Sequence, residues 1–330
     1  MADHLNWGIL ATGNIAKQFA KGLKHSKTGT LAAVGSRSLE SATKFTDERG
    51  GKPYGSYEEV LADPDVQAIY IALPHHMHYD WTIKCAEAKK AILCEKPFTL
   101  NALEAQRALN EVRQHKVFFM EAFMYRCHPQ TLKIAELVKE GAIGDVLMIQ
   151  SDFGFAAGRQ WDNFRADGAL GGGGLMDVGT YCVSMSRLVA QCEPTTLHYS
   201  AVISDKGYDE YGAGVMHFPN KVVAYFGTGV HANLRNDATI YGSEGKIHIP
   251  NPWKCSEGGM TLQRNGKPVE HLEFKSNNDE LYALEADTVA EFVDGTECPY
   301  MTWLDTIDNM RALDALRKSA GLKFAAEMTE

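Results

Sequence analysis

Positive charge is scarce in this chain: 33 lysines and arginines face 42 aspartates and glutamates, a formal charge of −9 over 330 residues. That balance argues against a broad electrostatic hold on nucleic acid or on an anionic membrane, so any phosphate must be bound locally by a few placed groups. Long apolar runs are missing too. No stretch approaches the roughly 18 residues that a membrane span needs. The opening residues MADHLNWGIL have no basic segment leading into an apolar one, so no signal peptide is expected. The seven cysteines are scattered, odd in number and without a Cys-x-x-Cys pair. This argues against a zinc knuckle and a disulfide frame, and it suits reduced thiols in a cytoplasmic protein. Internal repeats and low-complexity tracts are absent as well.

What is present is an ordinary globular composition, 45% hydrophobic and 23% charged. The length exceeds one comfortable core and predicts two domains, residues 1–123 and 124–330, with the C-terminal helix free to pack back on the first. Short apolar runs at Trp7–Leu10, Leu31–Val34, Ala68–Leu73, Ala91–Cys94, Val117–Met120 and Val146–Ile149 read as strands buried on both faces. Amphipathic segments lie between them. The clearest runs from Ala102 to Gln114, with Ala105, Ala108, Leu109 and Val112 on one face. Ser56 and Glu59 have the spacing of a capping box. This alternation predicts an α/β, doubly wound parallel sheet of the Rossmann type. Beyond about residue 150 the rhythm changes to strands at 198–204, 211–218, 221–230, 237–241, 245–249, 260–264 and 267–274, followed by helices near 282–293 and 302–319. A C-terminal α+β domain on a large, mostly antiparallel open sheet is expected. In Lys221–Val230 both faces are apolar, so helices cover one and a second subunit, in a homodimer or tetramer, can cover the other.

Four stretches carry the chemistry. After the first strand comes Ala11-Thr12-Gly13-Asn14-Ile15-Ala16, a Gly-x-Gly-x-x-Gly/Ala pattern with alanine in first place. Small residues there let the backbone approach a pyrophosphate at the helix N-terminus. The second strand ends in Gly35-Ser36-Arg37-Ser38, without the acid that bonds ribose hydroxyls in an NAD site. Serine and guanidinium suit a 2′-phosphate, so the expected cofactor is NADP(H). The strand Ala91–Cys94 then runs into Glu95-Lys96-Pro97, which puts a lysine where ligands bind in parallel sheets, next to a proline able to form a cis bond. Finally, Gly171-Gly-Gly-Gly174-Leu-Met-Asp177-Val-Gly-Thr-Tyr181 reads as a glycine loop bringing backbone close to a ligand, then a helix with Asp177 and Tyr181 on one face. A carboxylate and a phenol together can grip an alcohol and move its proton. A nearby lysine would bring the phenol pKa down toward the working pH. Lys96 as the immediate proton carrier is an open alternative.

The Ala11–Ala16 turn, the Glu95-Lys96-Pro97 triplet and the Gly171–Tyr181 segment resemble the glucose-fructose oxidoreductase/inositol dehydrogenase (Gfo/Idh/MocA) family, and the likeness covers nearly the whole chain. Glu121–Pro129 and Phe218–Lys221 are similar to its branch of dihydrodiol and NADP-dependent D-xylose dehydrogenases. The resemblance implies catalysis by Lys96, Asp177 and Tyr181. It places Leu73, Pro74, His75 and His78, together with Glu95, Trp161 and Arg165, at the cofactor. It implies a substrate wall that includes Met124, Arg126, Phe155 and Trp161. Three histidines at 75, 76 and 78 lack an acid or cysteine to complete a ligand set, so no metal is expected. The implied activity is hydride exchange between NADP(H) and a hydroxyl-bearing carbon of a sugar or cyclic diol. Reduction of a keto-sugar such as 1,5-anhydrofructose, oxidation at C3 of a glycoside, and a non-catalytic NADP-binding regulator are the competing readings.

Overall fold

The computed structural model describes residues 2–158, 161–255, 258–274 and 278–325. Where the sequence predicts one boundary after residue 123, compactness divides the chain discontinuously. The first unit takes Met1–Thr99, Leu103–Cys127 and Asn277–Ile307, and the second takes Leu100–Ala102, His128–Ser276 and Asp308–Glu330. Among the described residues no helix is long and apolar enough to cross a membrane.

In the first unit six parallel strands line up as β3-β2-β1-β4-β5-β6: β1 is Leu5–Leu10, β2 Gly29–Gly35, β3 Lys52–Tyr54, β4 Ala68–Ile71, β5 Ala91–Glu95 and β6 Phe119–Ala122. Strands β4, β5 and β6 are buried along their whole length, as their largely apolar composition requires, and the burial takes in Glu95 at the end of β5 and Glu121 in β6. The helices are α1 (Asn14–Leu23), α2 (Leu39–Arg49), α3 (Tyr57–Ala62), α4 (His78–Glu87) and α5 (Ala102–His115). The Ser56–Glu59 capping box opens α3, and α5 buries Ala105, Ala108, Leu109 and Val112 as its spacing predicts. β3 went unread in the sequence. Three residues with a central proline make a sheet edge and carry no periodic signal.

A later helix, α8 (Asn278–Phe292), also belongs to this unit and packs on α1. Gly22 makes that possible, since a Cβ there would sit 2.5 Å from the Tyr282 Cβ. Asp287 of α8 accepts hydrogen bonds from the Thr28 hydroxyl (2.7 Å) and from the Lys27 and Thr28 backbone N–H groups (3.0 and 3.1 Å).

The second unit is built on eight strands in the order β14-β13-β12-β11-β7-β10-β9-β8. These are β7 (Val146–Gly154), β8 (Thr196–Ile203), β9 (Asp209–His217), β10 (Val223–Gly229), β11 (Ala238–Gly242), β12 (Gly245–Ile249), β13 (Met260–Arg264) and β14 (Glu270–Leu272). Only the β7–β10 pairing is parallel. Helices α6 (Pro129–Lys139) and α7 (Thr180–Ala190) belong here, and the division between units falls within α9 (Trp303–Ser319). The Val146–Ile149 run, expected to be buried on both faces beside the first strands, is corrected: it opens β7 of this second sheet, and Leu147 and Met148 are 52% and 41% exposed. Apolar composition alone does not tell a doubly covered strand from one on an open sheet.

Candidate active site

The first unit carries the Ala11–Ile15 turn that the sequence expects to meet the cofactor's phosphates. The Ala11 N–H donates to the Gly35 carbonyl (3.0 Å), tying the end of β1 to the end of β2. Ala11 has φ +100, so the backbone takes the glycine-favoured conformation although alanine stands there. Helix α1 begins at Asn14 with no side-chain cap and no acid in its first turn. Gly13 and Asn14 are exposed, Thr12 and Ile15 half-buried, and a Cβ on Gly13 would meet nothing within 4 Å. Unfilled space over uncapped N–H groups fits an anionic diphosphate, and so it fits a dinucleotide. Beyond β2, Ser36 is buried and Arg37 exposed, and the Ser38 hydroxyl caps α2 through the Ser41 N–H (3.3 Å). Glu40, in the first turn of α2, is the nearest acid in sequence.

The lysine turn closes the same edge of the sheet. β5 ends at Glu95, whose carboxylate accepts from the Tyr70 hydroxyl. Burial and the adjoining Glu95 carboxylate push the Tyr70 phenol pKa far up. Lys96 is 8% exposed and its bond to Pro97 is cis. Two buried side chains fasten the backbone just beyond that bond. Glu121 Oε1 accepts from the Phe98 N–H (2.9 Å). The His78 ring faces the Leu73 carbonyl through Nε2 (2.8 Å) and the Pro97 and Phe98 carbonyls through Nδ1 (3.1 Å each). Burial pushes that imidazole down to about 4, so at neutral pH it donates one N–H at a time to these carbonyls. His78, expected at the cofactor, is fully buried and meets the loop at the Leu73 carbonyl. His75 and Leu73 are buried, and Pro74 is half-buried. Met124 and Arg126, expected on a substrate wall, lie in the buried turn 124–127, with Arg126 Nη2 on Asp305 Oδ2 at 2.7 Å.

The second unit carries the carboxylate and the phenol. Residues Leu175–Gly179 form a π-helical turn in which the Thr180 N–H reaches back to the Leu175 carbonyl, and α7 continues from it. π turns occur preferentially at functional sites. Asp177 and Tyr181 are both 4% exposed. Asp177 is not alone, since Arg165 Nε donates to its Oδ1 at 2.8 Å. The Arg165 guanidinium also lies 4.7 Å from the centroid of the Phe164 ring. Tyr181 sits edge-on to Phe153 and Trp253 (ring centroids 5.2 and 5.9 Å), and those two rings stack on each other at 5.6 Å. The Trp253 indole is fixed by its N–H to the Asp152 carbonyl (2.8 Å). Trp161 stands edge-on to Phe155 (5.7 Å) and to His231 (6.4 Å). Trp253 escaped the sequence reading. Its one signal was a large aromatic in the turn after Pro252, where no periodic element accounts for it.

Packing accounts for the glycine run. A Cβ on Gly171 would strike Leu100, on Gly172 the Arg165 carbonyl, on Gly173 the Asp209 carboxylate, and on Gly174 the Cα of Gly229. Each glycine admits another part of the protein, so internal packing by itself requires glycine at all four positions. Lys96 belongs to the first unit, Asp177 and Tyr181 to the second.

Comparison with known proteins agrees with this architecture. Residues 5–123 match the GFO_IDH_MocA model, described as an oxidoreductase family with an NAD-binding Rossmann fold, and residues 131–248 match the GFO/IDH/MocA C-terminal domain. A trans-1,2-dihydrobenzene-1,2-diol dehydrogenase of Danio rerio is 31% identical over 335 residues, 98% of this chain and 99% of that one. A D-xylose 1-dehydrogenase (NADP(+)) of Haloferax volcanii is 30% identical over 98% of this chain and 99% of its own. Among solved structures, an aldose-aldose oxidoreductase from Caulobacter crescentus superposes with a TM-score of 0.87 at 23% identity, covering 96% of this chain and 98% of that one. With both halves of the family matched over most of its length, the chain belongs to the GFO/IDH/MocA family of NAD(P)-binding oxidoreductases.

Proposed function

We propose that this oxidoreductase uses NADP(H) and acts on a carbon bearing a hydroxyl or carbonyl group in a sugar or cyclic diol. The observation that carries the reaction is Tyr181, a phenol walled by Phe153 and Trp253 and one helical turn from a carboxylate whose one oxygen is bonded to Arg165. The aromatic rings suit the apolar face of a sugar or diol, and the polar pair suits its hydroxyls. The relatives named as dehydrogenases of dihydrodiols and of D-xylose support this substrate class.

When bound, the nicotinamide supplies the hydride-transfer chemistry. The Ala11–Ile15 turn receives the diphosphate at the N-terminus of α1, and Ser36 with Arg37 receives the 2′-phosphate. His78 keeps the Leu73–Pro74 loop and the Lys96–Pro97 turn in register. Tyr181 exchanges the substrate hydroxyl proton at its phenol oxygen. The ammonium of Lys96 stabilises developing alkoxide charge. Asp177, oriented by Arg165, accepts a hydrogen bond from a neighbouring hydroxyl. Six of the seven cysteines are buried and none is joined in a disulfide among the described residues, which supports a reducing, cytoplasmic setting.

Tyr181→Phe tests the assignment. The variant should bind NADPH as the wild type does, by fluorescence titration. It should lose roughly 10²- to 10⁴-fold in turnover across a panel of D-xylose, other aldoses and trans-dihydrodiols, the usual contribution of one acid–base group. Near-normal turnover would remove Tyr181 from the mechanism.

A further inference from the structure

We infer that Asp209 is a positioning residue for the proton-transferring segment: its carboxylate, entering from β9, holds the first turn of the helix that bears Asp177 and Tyr181. The inference rests on the roles proposed for those two side chains. The helix starts after Gly174 with no side-chain cap; the Asp177 N–H reaches back to the Gly173 carbonyl (3.0 Å), whereas the Leu175 N–H needs an acceptor from outside the helix. Asp209 Oδ2 fills that need across the sheet. It accepts the Leu175 N–H at 2.7 Å and the Tyr199 hydroxyl of β8 at 2.7 Å. From β10, the Thr228 hydroxyl donates to the Gly174 carbonyl at 2.8 Å, so both sides of that peptide are tied. Asp209 Oδ1 has no hydrogen-bond partner and lies against Gly173, whose φ of +115 and lack of a side chain make room for it. Helix start, glycine and acid therefore fit one another, though they come from separate strands and loops.

A buried side chain without charge could also cap a helix, so the choice of an acid matters. Asp209 is fully buried, and among the described residues no lysine, arginine or histidine pairs with it. Its negative charge faces the positive end of the helix dipole. Burial pushes its pKa up to about 6, against the opposing hydrogen bonds from the Tyr199 hydroxyl and the Leu175 N–H. The titratable groups facing this cluster are the Tyr199 phenol from β8, held far up by burial and by Asp209, and the Cys182 thiol of α7 beyond it. β10 contributes only Thr228 and Gly229. As pH falls through the Asp209 titration, the carboxyl gains a proton and the helix start loses its anionic cap. Turnover then declines on the acid side.

The test uses the whole chain with NADP(H) and whichever panel substrate is turned over fastest. Asp209→Asn should lower kcat about 100-fold, the cost of an ångström-scale misplacement, while NADPH affinity stays unchanged. It should also abolish the acid limb near 6 in the kcat profile. Amide hydrogen exchange in 174–181 should accelerate, with the β9 and β10 amides still protected. Tyr199→Phe keeps the carboxylate but removes one donor to its charged form, so it should shift the acid limb to higher pH with a smaller loss of kcat. It also keeps the inference testable if the Asn variant does not fold. Wild-type kcat and unchanged exchange in 174–181 for Asp209→Asn would overturn the inference, as would an acid limb left in place by both variants. If instead Tyr181→Phe retains turnover while Asp209→Asn still loosens 174–181, the acid–base role of Tyr181 fails and the anchoring of the segment stands.

Discussion

Ser36 and Arg37 follow β2 at the point where an NAD site would present an acid, and they present a hydroxyl and a guanidinium. In the NADP(H) site proposed above, Arg37 is the side chain that would decide between cofactors. Replacing Arg37 by Asp removes a charge-assisted hydrogen bond to phosphate, about 1.5–3 kcal/mol, and adds repulsion. The KM for NADPH should rise roughly tenfold or more while that for NADH changes little, and initial rates with both cofactors check it. Equal effects on the two would refute the preference. Such residue identities are plainly legible in a sequence. Their partners are not: Asp177 looked available to a substrate, yet Arg165, 12 residues earlier, donates to one of its oxygens. Trp253, which meets Tyr181 from a turn 72 residues away in sequence, belongs to no motif.

At the scale of elements, helices and strands with one dominant periodicity were read correctly, whereas those defined by what covers them were not. α5 follows its apolar spacing, and β7 follows its open face, not its composition. α8 buries Glu285 completely, with neither carboxylate oxygen hydrogen-bonded. Burial, and then the neighbouring Glu95, push the Glu285 pKa well above the ordinary carboxylate range. The folded state thus holds a proton that the unfolded chain releases above its own pKa of about 4.3. This group therefore lowers stability as pH rises above that value, by up to about 1.4 kcal/mol per pH unit until the folded pKa is reached. Glu285→Gln should be more stable than the wild type at pH 8, and the advantage should shrink toward pH 5. Thermal unfolding at both values decides it, and an advantage that is constant with pH would show that the buried carboxyl is not the cause.

For the whole molecule, the open face of the second sheet gathers several exposed apolar side chains among the described residues. Register places Met148, Val202, Tyr211, Val215 and Tyr225 on that face, between 37% and 44% exposed. A contiguous group of this kind supports a homodimer or tetramer through the sheet. The double variant Val215→Lys, Tyr225→Lys should sediment as a monomer with its secondary structure intact, and a wild type already monomeric at micromolar concentration would end the proposal. The apolar spacing of α5, the small-residue turn Ala11–Ala16, the lysine–proline pair and the one-turn spacing of Asp177 and Tyr181 were determined by the sequence alone, because each is a pattern among near neighbours. Tertiary structure alone decided that four glycines admit Leu100, Arg165, Asp209 and Gly229, that α8 joins the first unit, and that Trp253 walls Tyr181. Those facts depend on close approach between segments far apart in the chain, and hydrophobic period and turn chemistry carry no record of distance.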